Sequence, residues 1–546
     1  MQARKEPETS TGSSARQQSG AALTSCNRLT TLVGIVAISL LSLISAQSAA
    51  PSEATGTSAE GVNTAVTQLS DVIDSFMQQS GLPGLAAAIV YRDDVVFLDG
   101  YGVRDVNTAT PVTADTVFQI ASLSKPVSAT VMAAMISQGF ISWDDRLIDL
   151  LPGFRLQDNF VTAQLTLRDM FSHRSGLDGN AGNDLELLGY GREEILSRLR
   201  YLPLTGAVRD TYAYSNFGMT AAGEAAAHAA GLPWEDAAQQ FLFGPLGMDS
   251  TSANWADFMS RENRASLHVR HEGTWRPLAT RNADAQSPAG GVSSTARDMA
   301  EWLRLQLAVG NYGGQKLIDQ EALRETRTPH ILTGNHPLEQ QPVFYGLGFN
   351  IYRDTAGSTR LYHAGAFSAG AQTFAVLLPE EQLGIVVLTN AFGTGVPEAL
   401  ADSFIDMARG GEVSRDWLSE WGGLYEQLLD SFTGAAAAYT DPPAQAADPL
   451  PLTRYTGTYS SDYFGKLEVI ETAGELVLKL GPDQQVTYPL RHWNRDHFIY
   501  FPAEELPDLP AGAAFSLGAD GFAQSVELHD LNDLGQGLFV RINSLD

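Results

Sequence analysis

Cysteine is almost absent from this chain. Its 546 residues hold one, Cys26 in "LTSC". That tetrapeptide is like a lipid-attachment signal, but it precedes the nearest apolar run, where such a signal would follow it. A lone cysteine forms no internal disulfide. If the N-terminus is removed, no thiolate nucleophile and no Cys-based metal site remain. Positive charge is scarce as well. The 35 Lys and Arg face 63 Asp and Glu, a formal net charge of −28. Nucleic acid selects the opposite balance, so no nucleic-acid partner is expected. No apolar run reaches the roughly 20 residues of a bilayer span. The nearest, "LVGIVAISLLSLISA" (32–46), has 15. Several catalytic motifs are missing too. "AFSAG" (366–370) lacks the first glycine of G-x-S-x-G, and "HEGTW" leaves H-E-x-x-H after two residues. Neither a P-loop nor G-x-G-x-x-G occurs, and there is no solenoid-type repeat.

The N-terminus reads as a targeting segment. Arg4, Lys5, Arg16 and Arg28 precede the 15-residue run, and the small residues of "SAQSAAPSEATGTSAEG" follow it. The expectation is a signal peptide over residues 1–48, and a periplasmic or secreted protein with no stable membrane span after cleavage. An uncleaved anchor is the alternative. A hydrophobic content of 44% supports a large core, and the length calls for more than one domain.

Periodicity places the main elements. Val62, Val66, Leu69, Ile73 and Phe76 form one helical stripe, stopped by Gly81 and Pro83. "LAAAIVYRDDVVFLDGYG" reads as a hairpin around Arg92-Asp93-Asp94, and "TFAVLLPEEQLGIVVLTN" (373–390) as another strand pair. Helical segments such as "ARDMAEWLRLQLAVG" lie between. The expected fold is α/β: an antiparallel sheet whose two ends of chain pair, carrying a helical insertion. Residues 411–450 read as a linker, helical and then Pro-rich. Residues 451–546 hold about eight short strand-like runs, "RYTGTY" to "GLFVRI", and are expected to form a small up-and-down β-barrel.

Three motifs carry chemistry. In "FQIASLSKP" (118–126), Ser122 and Lys125 sit one helical turn apart at the head of an apolar helix. A lysine in an apolar pocket loses basicity and can take a proton from a neighbouring serine. A helix N-terminus favours the developing oxyanion. The second motif, "YAYSNFG", offers Tyr214 for proton transfer and Asn216 for hydrogen bonding. The third, "LYHAGAFSAG", places His363-Ala364-Gly365 at the end of a short strand, with the Ala366 N–H just beyond as an oxyanion donor beside that of Ser122. Taken singly, each has a structural reading: an N-cap serine with a surface lysine, a core tyrosine in a turn, a strand-end histidine. His173 in "SHRSGL" reads as a loop brace, Arg174 has no assigned role, and Tyr345 reads as structural or pocket-lining.

Together, and in this order, S-x-x-K, Y-x-N and H-x-G resemble the serine hydrolases of the class C β-lactamase and penicillin-binding-protein family. The blocks "DTVFQIASLSKP", "TLRDMFSHRSGL", "PLGMDST", "SPAGGVSSTARDMAEW" and "YGLGF" extend the resemblance over about residues 62–410. It implies a β-lactamase/transpeptidase-like domain with Ser122 as nucleophile and Lys125 and Tyr214 sharing the acid–base work. Asn216, His363, Gly365 and Ala366 would line the substrate site. No metal or cofactor is implied. The expected substrates are small esters, amides or peptides. Related D-aminopeptidases, D-Ala carboxypeptidases, penicillin-binding proteins or a weak β-lactamase are the alternative, and a non-catalytic assembly protein comes last. One departure matters. Relatives that process β-lactams usually carry a lysine in the third motif, where this chain has His363, mostly neutral at pH 7. The C-terminal barrel, through "YTGTYSSDYFGKLEV", resembles the lipocalin-like domain of some D-aminopeptidase-type relatives. Oligomeric state is not legible.

Overall fold

The computed structural model describes residues 56–439, 442–503 and 505–542. The expected signal peptide, the alternative anchor and Cys26 fall outside them. Helix α1 (Ala59–Ser80) begins where the Ser58 side chain accepts from the Gly61 N–H, and ends at Gly81 in the left-handed region, φ 66°. Val62, Ala65, Leu69 and Ile73 are its buried face.

Nine antiparallel strands form the main sheet. They are β1 (Gly84–Tyr91), β2 (Asp94–Asp105), β3 (Thr110–Pro111), β4 (Ile331–Asn335), β5 (Pro342–Tyr345), β6 (Asn350–Arg353), β7 (Thr359–Phe367), β8 (Ala371–Leu378) and β9 (Leu383–Thr389). Their order is β4-β5-β6-β7-β8-β9-β1-β2-β3. The expected pairing of distant ends is present: β1 lies against β9 from Leu85↔Thr389 to Tyr91↔Leu383. Both faces of β1, β8 and β9 are covered, which is why these three strands read as continuous apolar runs. Leu85, Ala87 and Ile89 pack with α1 and with α6 (Val396–Gly410). Ala86, Ala88 and Val90 face the helices inserted between β3 and β4. Those include α2 (Ser124–Ser137), α3 (Asn183–Leu187), α4 (Asn216–Ala230) and α5 (Ala296–Leu307).

The segment expected as a helical linker is partly otherwise. Its helix α7 (Trp417–Ala436) buries Trp417, Leu418 and Trp421 in the core shared with α1 and α6. Trp421 Nε1 donates to Asp402, and the Tyr425 hydroxyl donates to Glu398 at 2.6 Å. This helix therefore belongs to the sheet domain, because its amphipathic face finds a partner there.

The C-terminal part closes into an eight-stranded barrel of β10 (Gly457–Ser461), β11 (Gly465–Thr472), β12 (Glu475–Leu480), β13 (Val486–Asn494), β14 (His497–Tyr500), β15 (Ala511–Leu517), β16 (Ala523–Leu528) and β17 (Leu538–Arg541). Sequence neighbours pair in turn and Tyr459↔Arg541 closes the ring. Leu476, Leu478 and Leu480 of "ELVLKL" are all buried, the alternation a half-buried strand requires. Among the described residues no helix is long and apolar enough to cross a membrane.

Candidate active site

The first motif sits on a strained turn. Phe118–Gln119 pairs with Ser293–Ser294, and the chain then makes a 3-10 turn, Ala121–Leu123, before α2 starts. Ala121 has φ 48°, a left-handed conformation that costs a non-glycine residue about 1–3 kcal/mol. The turn leaves Ser122 half-buried while Lys125 is fully buried.

Lys125 Nζ has three oxygen neighbours: Ser122 Oγ at 3.1 Å, Asn216 Oδ1 at 2.7 Å and the Ala289 carbonyl at 2.9 Å. The last two only accept. A neutral amine has two N–H groups and one lone pair, so it can donate to both and still receive the proton of the Ser122 hydroxyl. Burial pushes the Lys125 amine well below its ordinary 10.5, and the charge of Glu186 opposes this only in part. Asn216 is fixed in turn, because its Nδ2 donates to Asn183 Oδ1 at 3.3 Å, which aims Oδ1 at the lysine.

Tyr214 lies just before α4, with its ring centroid 4.4 Å from Lys125 Nζ. Burial raises its phenol above the ordinary 10. The same burial favours the neutral form of the lysine and the protonated form of the tyrosine. His173 supports this loop: its Nδ1 accepts from the Ser215 N–H at 3.1 Å, and its ring centroid is 4.6 Å from that of Tyr214.

The third motif differs from expectation in one respect. His363 is central in the nine-residue strand β7, not at the end of a short one. Gly365 serves close approach. A Cβ there would lie 2.3 Å from the Ile120 carbonyl oxygen and 2.9 Å from the Leu123 nitrogen. Only glycine lets the strand dock against the Ser122 turn, and Thr373 Oγ1 ties the same carbonyl at 2.8 Å. His363 borders a cleft of about 40 Å³ together with Tyr212, Tyr214 and Tyr362. Its Nδ1 faces the Ala364 carbonyl at 2.6 Å, so that nitrogen carries the proton, and Nε2 accepts from the Tyr345 hydroxyl at 3.1 Å. Burial lowers His363 to about 3. A neutral imidazole with both nitrogens engaged supplies no cation to a substrate. Ala366 is half-buried and packs against Phe392 and Tyr425.

The structure thus brings Ser122, Lys125, Tyr214, Asn216, His363 and Gly365 to one place, with Ala366 at its edge. The sequence reading gave His173 and Tyr345 only supporting parts and missed Asn183 and the Ala289 carbonyl. "SHRSGL" and "YGLGF" are the signals that point to the first two. Among the described residues no three acidic, histidine or cysteine side chains converge on a metal position.

A sequence held in this way, by a buried lysine beside a serine and a tyrosine over an antiparallel sheet, is that of a serine hydrolase. The chain belongs to the Beta-lactamase family, whose model matches residues 69–408, and a Domain of unknown function (DUF3471) matches residues 441–538. It is 24% identical over 438 residues to "Unguisins hydrolase ungD" of Aspergillus violaceofuscus (strain CBS 115571), covering 72% of this chain and 74% of the relative. It is also 24% identical over 330 residues to "D-alanyl-D-alanine-carboxypeptidase/endopeptidase AmpH" of Escherichia coli (strain K12), covering 59% of this chain and 84% of the relative. In fold it is similar to an octameric penicillin-binding protein homologue from Pyrococcus abyssi, with a TM-score of 0.55 at 18% identity, over 87% of this chain and 100% of that one. A class C beta lactamase from Rhodobacter sphaeroides is similar with a TM-score of 0.51 at 22% identity, over 63% of this chain and 98% of that one.

Proposed function

We propose that the protein is an exported hydrolase of small esters, amides or peptides that works through an acyl-enzyme on Ser122. The observation that carries this is the Lys125 amine, buried with two obligate acceptors and the Ser122 hydroxyl around it. In the proposed route Ser122 Oγ attacks the substrate carbonyl carbon and its proton passes to the Lys125 lone pair. The N–H groups of Ser122 and Ala366 receive the oxyanion. As the tetrahedral adduct collapses, Tyr214 gives its proton to the leaving group and is reprotonated from Lys125. Water then attacks the acyl-serine, the same groups moving the proton in reverse. Asn216 holds the amine in place, and no cofactor takes part.

A second reading, a peptidase acting on D-amino-acid peptides or a penicillin-binding protein, is supported by the Escherichia coli relative's name. The neutral, doubly engaged His363 speaks against strong β-lactam or terminal-carboxylate recognition. Purified protein assayed in parallel on p-nitrophenyl esters, D-amino-acid anilides, a D-Ala-D-Ala peptide and nitrocefin separates these readings. Turnover is expected on esters or anilides, least on nitrocefin. A fluorophosphonate probe should label wild type and spare Ser122→Ala; equal labelling of both removes Ser122 as nucleophile. For export, N-terminal sequencing of the protein from its native host should find residues 1–48 removed. Full-length chain in the membrane fraction would show the anchor instead.

A further inference from the structure

Between α3 and the barrel lies a cavity of about 520 Å³, a size typical of small-molecule sites, which Ser122 does not line. Among the described residues four acids line it: Asp184 and Glu186 from α3, Glu505 from the loop after β14, and Asp530 from the segment after β16. Among the described residues that line it, the single basic one, Arg281, already donates to Glu186 Oε2. Much of the remaining wall is apolar, with Leu188, Val486, Leu506 and Leu509.

Asp184 is the unusual member. It is 3% exposed, and its Oδ1 accepts no hydrogen bond; the same holds for Glu186 Oε1, on a side chain 7% exposed. The charges that act on Asp184, from Asp533, Asp530 and Asp178, are all negative. Burial and these neighbours hold its carboxyl well above the usual range. A buried acid among like charges must keep a proton or take up a cation. A metal ion does not suit it, since among the described residues no three ligating side chains converge. The apolar wall beside the acids calls for a ligand that has both a cationic end and a hydrocarbon body.

We propose that this cavity binds an organic cation, a primary ammonium or guanidinium seated against Asp184 and Glu186 and carried on a small apolar body that lies along the barrel wall.

The test is calorimetric titration of the full chain at neutral pH with phenethylamine, 2-phenylethanol and phenylacetate, which share one body and differ in charge. The amine should bind at least about tenfold tighter than the alcohol, and the acid weakest. Asp184→Asn, close in shape to the protonated acid, should erase the preference for the amine. Ala279→Trp, at the rim of the cavity, should abolish binding of amine and alcohol alike, and covers the case in which the aspartate variant does not fold. Equal affinity of amine and alcohol for wild type overturns the proposal. So does wild-type amine binding by a folded Ala279→Trp. The titration reads binding without turnover, so its failure leaves the assignment of Ser122 untouched.

Discussion

At the scale of single residues, an ammonium and a free amine fit the Lys125 cage differently. An ammonium would donate to all three oxygens and leave Ser122 without a base. A free amine keeps its lone pair for Ser122, and burial favours that form. Lys125→Arg places a guanidinium there that does not deprotonate at working pH. Turnover should fall roughly a hundredfold to ten-thousandfold, and fluorophosphonate labelling with it; labelling at the wild-type rate would exclude Lys125 as base. The wild-type pH profile carries the same sign. The base form appears as pH rises through the lowered lysine pKa, so kcat/KM should climb and reach its plateau well below pH 10.5. Tyr214 separates from Lys125 by leaving group. An anilide needs a proton to depart and p-nitrophenolate does not. Tyr214→Phe should therefore cost about a hundredfold or more on an anilide and far less on a p-nitrophenyl ester. Equal losses on both would make Tyr214 a positioning residue. The motif residues were legible because their spacing encodes their chemistry. Asn183 was not: it sits about 30 residues before Asn216 in a short helix, and only packing brings the two amides together at 3.3 Å.

At the scale of elements, periodicity gave the hairpins and the barrel strands, whose burial alternates or whose turns are marked. It failed where one residue type serves two purposes. The H-x-G motif was expected at the end of a short strand, yet Gly365 lies inside β7, where it lets the Ser122 turn approach. Helix α7 looked like a linker because an amphipathic stripe does not name its partner. A buried network joins it to the site. Glu398 of α6 accepts from Tyr425 of α7 and from Gln372 Nε2 of β8 at 2.8 Å, and Gln372 is paired in register with Ala366. Burial raises Glu398 to about 7. The folded state thus binds the proton that the unfolded chain releases near 4.5, and Glu398's contribution to stability is present below that pH and lost as pH rises through 7. Glu398→Gln removes the titration. The stability difference between wild type and variant, from denaturant melts, should swing toward the variant by on the order of 1–3 kcal/mol between pH 4.5 and 8. A difference independent of pH would mean that Glu398 is not buried as described.

At the scale of the whole molecule, the catalytic domain and the barrel share one apolar core. Leu185, Leu188 and Tyr190 lie in the same cluster as Tyr463, Phe464 and the barrel interior. Polar contacts lock the seam. The Tyr463 hydroxyl accepts from the Gly182 N–H at 2.8 Å, the Tyr190 hydroxyl donates to the Phe464 carbonyl at 2.6 Å, and Arg198 donates to the Tyr463 carbonyl at 2.8 Å. Gly182 stands at φ 91° at the start of α3, and the next residue is Asn183, the partner of Asn216. The barrel therefore reaches Lys125 through three hydrogen bonds in series, from Tyr463 to Gly182, from Asn183 to Asn216, and from Asn216 to Lys125. None of this was legible from the two sequence patterns, which meet only as a change of period near residue 450. Deleting residues 442–546 should lower the melting temperature and also reduce kcat/KM on a p-nitrophenyl ester, because α3 loses its support. Tyr463→Phe isolates the polar link. It removes one hydrogen bond, worth about 1 kcal/mol to stability, and should lower kcat more than it raises KM, since Asn216 holds the lysine and not the substrate. A folded Tyr463→Phe variant with unchanged kcat, alongside a truncation that is unstable but fully active per folded molecule, would reduce the barrel to a cover that stabilises the domain without acting on its chemistry.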